Sequence, residues 1–344
     1  MTKVLIAGLG NMGLSHALAH HRHPDAQIVA LVNRSGRVAH PDLAGYAAFS
    51  DFETALTEAK PDLVVIATYS DSHADYACAA MEAGAHVFVE KPLATNAADA
   101  RRVVGTAARL NRKLVVGYIL RHHPSWMRLI AEARDLGGPY VFRLNLNQQS
   151  SGAEWETHKA LMQTTSPIVD CGVHYVDVMC QITDAQPVRV HGMGLRLSDE
   201  IARDMYNYGQ FQVVFDDGSV GWYEAGWGPM ISETAFFVKD IVSPNGSVSI
   251  TDGNKGASAD IDGHTKVGGL LIHTPGGDRT IEMPDEPGHQ ELCDAEQAYV
   301  LRAIAEDIDL ARHMNDAVQS LAICLAADQS IRTGQPVSLE EPTS

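Results

Sequence analysis

Short runs of consecutive apolar residues, each closed by a turn and followed by a helical stripe, recur through the first third of the chain. Val4-Leu5-Ile6-Ala7 runs straight into Gly8, and a helical pattern (Leu14, Ala17, Leu18) follows. Ile28–Val32, Leu63–Ala67, His86–Val89 and Lys113–Val116 repeat the theme, with helices expected over His73–Ala83 and Ala97–Leu110. Strands that are apolar at every position, rather than at alternate ones, suit a sheet covered on both faces. Alternation of such strands with helices predicts a doubly wound parallel sheet.

Past Arg121 the pattern changes. A helical stretch over Pro124–Leu136 leads through Gly-Gly-Pro to a strand at Tyr140–Leu146. Residues 168–177, I-V-D-C-G-V-H-Y-V-D, form an apolar run that places Asp170, His174 and Asp177 on one helical stripe. Strands near Val188–Leu197, Phe211–Phe215, Val220–Ala225 and Ala235–Val242 follow, joined by short turns such as Asp216-Asp217-Gly218-Ser219. They predict a largely antiparallel sheet. Residues 253–290, rich in Gly, Asp and Pro, read as loops and short strands. A long helical region then spans about 295–333, interrupted near His313–Asn315.

The chain has 344 residues, 45% of them hydrophobic and 20% charged, which is enough for two domains with their own cores. Its formal charge of −17 disfavours a nucleic-acid partner. Five scattered cysteines, with no C-x-x-C, read as reduced thiols. The apolar run at the N-terminus breaks at Gly8, too early for a signal peptide, and no stretch approaches a membrane span. A soluble, cytoplasmic protein without a membrane partner is expected.

Strand, glycine turn and helix give the G-L-G-N-M-G of residues 8–13 the context of a dinucleotide cradle. Gly8 permits the turn, Gly10 lets backbone approach a pyrophosphate, and Gly13 allows close helix–strand packing. The second strand ends in Asn33-Arg34-Ser35, where an NAD enzyme usually carries an acid for the ribose 2′-hydroxyl. Three donors without an acid favour NADP over NAD, and Arg34 has a guanidinium able to stack on adenine. On the 168–177 stripe, Asp170, His174 and Asp177 either pair off in a core or line a site. Spacing supplies no fourth metal ligand, so no metal is expected. The cluster His16, His20, His21 and His23, and the pair His122-His123, read as solvated surface.

The stretch A-G-A-H-V-F-V-E-K-P-L-A (83–94) resembles the Glu-Lys-Pro signature of the Gfo/Idh/MocA oxidoreductases, the glucose–fructose oxidoreductase and inositol dehydrogenase family. G-L-G-N-M-G, T-Y-S-D-S-H (68–73), V-G-Y-I-L-R (116–121), D-C-G-V-H-Y-V-D and A-D-Q-S-I-R-T-G-Q-P-V (327–337) resemble further family motifs in family order. The resemblance implies an α/β protein: a Rossmann dinucleotide-binding domain over 1–121, then an α+β domain over 122–344 with a large open, mostly antiparallel sheet. The long helical region would pack back towards the first domain, and the open sheet would support a homodimer or homotetramer.

It further implies a dehydrogenase acting on a secondary alcohol of a sugar, cyclitol or related polyol, with Lys91, Asp170 and His174 catalytic. Cofactor contacts would come from Gly8, Gly10, Asn11, Met12, Gly13, Asn33, Arg34, Ser35, Thr68, Tyr69, His73, Glu90 and Lys91. Substrate contacts would come from Lys91, Tyr118, Trp155, Asp170 and His174, with Trp155 in a loop. Pro92 forbids helical backbone at Lys91 and so sets that lysine's direction. Where relatives carry a glycine cluster before the Asp, this chain has T-T-S-P-I-V, a departure that bears on substrate choice. A non-catalytic NAD(P)-sensing protein on the same fold is the alternative, as is a keto-sugar reduction or a redox-neutral step.

Overall fold

The apolar runs of the first third become six strands of one sheet. In the computed structural model, which describes residues 1–232, 238–252 and 266–339, β1 (Thr2–Ala7), β2 (Ala26–Val32), β3 (Ala48–Phe49), β4 (Leu63–Ile66), β5 (His86–Glu90) and β6 (Leu114–Gly117) are all parallel. They lie in the order β3-β2-β1-β4-β5-β6. Every residue of β4 is fully buried, as a strand without alternation requires. Helices α1 (Asn11–Arg22), α2 (Phe52–Ala59), α3 (His73–Glu82) and α4 (Ala97–Leu110) connect the strands. The core joins Val4, Ile6, Leu31, Val65 and Phe88 with Val300 and Leu301 from late in the chain.

Residues Met1–Ile119 and Gln290–Val318 make up one compact unit, and Leu120–His289 with Gln319–Ser344 the other. The late segment of the first unit is α8 (His289–Ala305) and the start of α9 (Ala311–Thr333). The helical break falls at 306–310, not at His313–Asn315. Asp307 takes a left-handed φ of 52°, and the Asp309 carboxylate accepts the Ala311 N–H, capping the next helix.

The second unit is built on a nine-stranded sheet, ordered β14-β13-β12-β11-β7-β10-β9-β8-β15. Its strands are β7 (Val141–Gln149), β8 (Pro187–Leu195), β9 (Tyr208–Phe215), β10 (Val220–Gly228), β11 (Lys239–Ser243), β12 (Gly246–Asp252), β13 (Gly268–Thr274), β14 (Gly277–Glu282) and β15 (Val337–Ser338). Only the β7–β10 pair is parallel among these ladders. The expected strand at Ala235–Val242 begins outside the described residues, as does the first part of the 253–290 stretch. Among the described residues, helices α5 (Pro124–Leu136), α6 (Gly152–Leu161) and α7 (Pro167–Ile182) and the part of α9 from Gln319 onward also belong to this unit. A Cβ on Gly172 of α7 would lie 3.1 Å from the Tyr223 ring and 3.2 Å from Cys324 Sγ, so the glycine lets this helix settle closely on β10.

Candidate active site

The loops at the carboxyl ends of β1, β2, β4 and β5 gather where the strand order reverses, the place at which open parallel sheets bind ligands. Gly8 and Gly13 are demanded by the chain itself. A Cβ on Gly8, whose φ is +91°, would sit 2.3 Å from the Ala67 carbonyl oxygen, and one on Gly13 would sit 2.0 Å from that of Gly8. Gly10 differs: a Cβ there meets nothing within 4 Å. It is the N-cap of α1, with no side-chain cap and no acid in the first turn. The first amides of α1, from Asn11, Met12 and Gly13, therefore meet neither a capping side chain nor an anion, and a pyrophosphate fits this cradle.

At the end of β2, the Asn33 amide nitrogen donates to Ser35 Oγ (3.2 Å) and to the Arg37 carbonyl (3.1 Å), so this side chain shapes the loop. The Arg34 guanidinium lies 5.4 Å from the ring centre of Tyr69, which is 57% exposed. Thr68 Oγ1 pairs with Ser72 Oγ at 2.7 Å. His73 is buried, and its two ring nitrogens meet the Pro92 and Thr68 carbonyls at 2.8 and 3.1 Å. The ring braces the Thr68 loop against the turn after β5, and burial holds its pKa below the usual histidine range.

That turn carries Glu90, Lys91 and Pro92, joined by a cis Lys91–Pro92 peptide. Glu90 is buried while Lys91 is partly open. Glu90 Oε2 accepts the Lys91 N–H at 3.2 Å, and Oε1 meets His16 Nε2 at 2.6 Å. His16 and His20 of α1 thus depart from expectation, whereas His21 is exposed. His16 and His20 are fully buried, because Gln297 of α8 reaches both rings at 3.0 and 2.9 Å. His123 is also buried; its Nδ1 accepts the Ser125 N–H and caps α5.

Helix α7 holds the other candidates. Thirteen of its sixteen residues are buried, and only Asp170, His174 and Gln181 are partly open. Asp170 and His174 are one turn apart on the same face. Ser166 accepts the Val169 N–H as N-cap, donates to Asp328 at 2.7 Å, and is followed by Pro167. The T-T-S-P departure therefore builds a firm helix start. Asp177 is buried and held in an ion pair. Arg121 grips both its oxygens at 2.8 and 2.6 Å, and Gln181 donates to it at 2.9 Å.

Trp155 lies on α6 rather than in a loop, buried, with its indole N–H on Glu200 at 3.3 Å. Tyr118 is buried in the first unit, its ring 6.2 Å from that of His313. Neither contact places these two with Asp170 and His174.

Family models for the oxidoreductase family's NAD-binding Rossmann fold and for the GFO/IDH/MocA C-terminal domain match residues 2–118 and 126–235. The chain belongs to the GFO/IDH/MocA oxidoreductases. Inositol 2-dehydrogenase of Salmonella typhimurium is 28% identical over 186 residues, 52% of this chain and 53% of that protein. A 4-carboxy-2-hydroxymuconate-6-semialdehyde dehydrogenase of Sphingobium is 29% identical over 168 residues, 45% of this chain and 53% of that one. The chain thus spans about half the length of these relatives. The solved structure of scyllo-inositol dehydrogenase from Lactobacillus casei, with bound NAD(H) and scyllo-inositol, superposes with a TM-score of 0.78. It covers 98% of this chain and 99% of that one at 19% identity, a likeness of fold. No helix among the described residues is long and apolar enough to cross a membrane.

Proposed function

We propose that this GFO/IDH/MocA protein is an NAD(P)-dependent dehydrogenase that oxidises a secondary alcohol of a sugar, cyclitol or related polyol, or reduces the corresponding ketone. The observation that carries the reading is the pair Asp170 and His174, open on a helix otherwise buried almost throughout. Two partly exposed polar groups one turn apart on such a helix offer a base and a hydrogen-bonding carboxylate to one ligand. The nicotinamide, when bound, supplies the hydride acceptor or donor.

In the oxidative direction His174 accepts the hydroxyl proton as the C–H bond breaks and the carbonyl forms, a task suited to imidazole at neutral pH. Lys91 donates a hydrogen bond to the developing alkoxide, and its charge favours loss of that proton. Asp170 accepts a hydrogen bond from a second hydroxyl and so orients the ring. In the reductive direction His174 returns the proton to oxygen. NADP is favoured over NAD through Arg34 and the Ser35 hydroxyl, with Asn33 spent on its own loop. Arg34→Ala should then weaken NADP more than NAD in calorimetric titrations. Met193, Leu195 and Val220, exposed on the second sheet, support assembly into a homodimer or homotetramer.

The test is turnover of a polyol panel, myo- and scyllo-inositol included, with either cofactor. Lys91→Ala and His174→Ala should each lower kcat by about 10²-fold or more with little change in cofactor affinity. Full turnover by either variant would remove that residue from the mechanism.

A further inference from the structure

Beneath the Glu90–Lys91 turn lies a buried polar cluster that the proposed chemistry does not use. Glu296 and Gln297 of α8, His16 and His20 of α1, and Glu90 are each at most 6% exposed. His16 Nε2, a Glu90 oxygen and a Glu296 oxygen all lie within 4.8 Å of one another. Among the described residues neither oxygen of Glu296 has a hydrogen-bond partner, a state that a buried carboxylate rarely tolerates.

The protons in this cluster follow from its connections. His20 Nδ1 is buried without a partner, and a bare lone pair costs less there than a bare N–H. His20 therefore carries its proton on Nε2 and donates to Gln297 Oε1. The Gln297 amide must then donate to His16 Nδ1, which leaves His16 Nε2–H donating to Glu90. Glu90 accepts again from the Lys91 N–H, so it acts as an ionised carboxylate at both oxygens. Glu296 is left as the acid that keeps its proton. Two charged carboxylates this close cannot coexist in so buried a place.

We propose that Glu296 is a positioning residue for Lys91: by keeping its own proton it spares Glu90 a second buried negative charge, and Glu90 stays seated on His16 and on the Lys91 backbone. The role rests on the assignment of Lys91 as catalytic. Burial first, and Glu90 second, push the Glu296 carboxyl well above the usual range. The groups around the pair are His16 from α1, His73 from α3, Lys91 from its turn and Cys293 from α8, with His20 joined through Gln297 and Asp294 beside Cys293. Loss of the Glu296 proton at high pH would drive Glu90 off its donors and move Lys91. A cation held by His16, Glu90 and Glu296 is the competing occupant. It would require His16 to give up the proton on Nε2 and Gln297 to reverse its amide.

Glu296→Gln keeps the shape of the neutral acid, whereas Glu296→Ala removes it. The Ala variant should lose about tenfold in kcat at pH 7 with unchanged KM for the cofactor. The Gln variant should recover most of that loss and lack the wild-type fall in kcat at high pH. Thermal melts from pH 5 to 9 give an arm that needs no substrate. Because the folded protein binds this proton more tightly than the unfolded chain, wild-type stability declines as pH rises through this range. That decline should flatten in Glu296→Gln even if Lys91 proves dispensable. Equal losses in Gln and Ala, identical melting profiles for Gln and wild type, or an equivalent of metal in purified protein that Glu296→Gln abolishes would each overturn the proposal.

Discussion

Gly10→Ala separates what the glycine cradle does for the fold from what it does for the ligand. The Gly10 backbone, at φ −72° and ψ −168°, is open to any residue, and the new methyl meets nothing within 4 Å. Restricting the unfolded chain stabilises by about 0.4–1 kcal/mol, and losing a favoured N-cap glycine offsets a similar amount. The melting temperature of the ligand-free protein should therefore stay within about 2 °C of wild type. The methyl instead occupies the space a pyrophosphate needs at the start of α1. Losing one hydrogen bond to a charged phosphate oxygen costs about 1.5–3 kcal/mol, or roughly 10–100-fold in affinity. Calorimetric titration with NAD and NADP reads this directly, and Gly13→Ala is the contrasting control. Its methyl would fall 2.0 Å from the Gly8 carbonyl, so that variant should lose both stability and binding. Wild-type affinity in folded Gly10→Ala would refute the cradle, and a large drop in its ligand-free melting temperature would refute the reading of open space.

Two further outcomes follow from buried charge. Burial holds the His20 imidazole down to about 4, so it is neutral in the folded protein while the unfolded chain protonates near 6.5. Its contribution is present above pH 6.5 and lost as pH falls towards 4, about 3 kcal/mol in all. His20→Asn should flatten that acid limb in pH-dependent urea unfolding. Arg121→Met removes both guanidinium hydrogen bonds from the buried Asp177 carboxylate, and should cost about 3–5 kcal/mol. Arg121→Met with Asp177→Leu should recover much of the loss, and a double-mutant cycle without coupling would show that the pair contributes nothing.

The sheet of the first unit was legible because burial on both faces leaves an unbroken apolar run, and the cradle because strand, glycines and helix sit side by side in the chain. Asp170 and His174 were legible as a stripe, but their separation from Asp177 was not. The guanidinium that meets Asp177 comes from Arg121, 56 residues away. The expected helical break at 313–315 fell instead at 306–310, since it depends on one left-handed aspartate and a cap rather than on periodicity. Helix α6, with little amphipathic contrast, passed for loop and carried Trp155 with it. His16 and His20 passed for surface residues because the residue that satisfies them, Gln297, lies 281 and 277 positions downstream.

That last separation governs the order of events on the ribosome. When residues 1–119 have emerged, His16 and His20 still lack Gln297, and the N–H of Val116 lacks the ring of His313 that accepts it at 2.8 Å. The apolar surface that Val300 and Leu301 cover is still wet. A nascent nucleotide domain must therefore wait while Leu120–His289 of the second unit is synthesised before its own core closes. The chain behaves less like two beads threaded in sequence than like a clasp whose second half is made last. A fragment ending at residue 121 should be an unfinished intermediate, and adding 290–318 in trans should complete it.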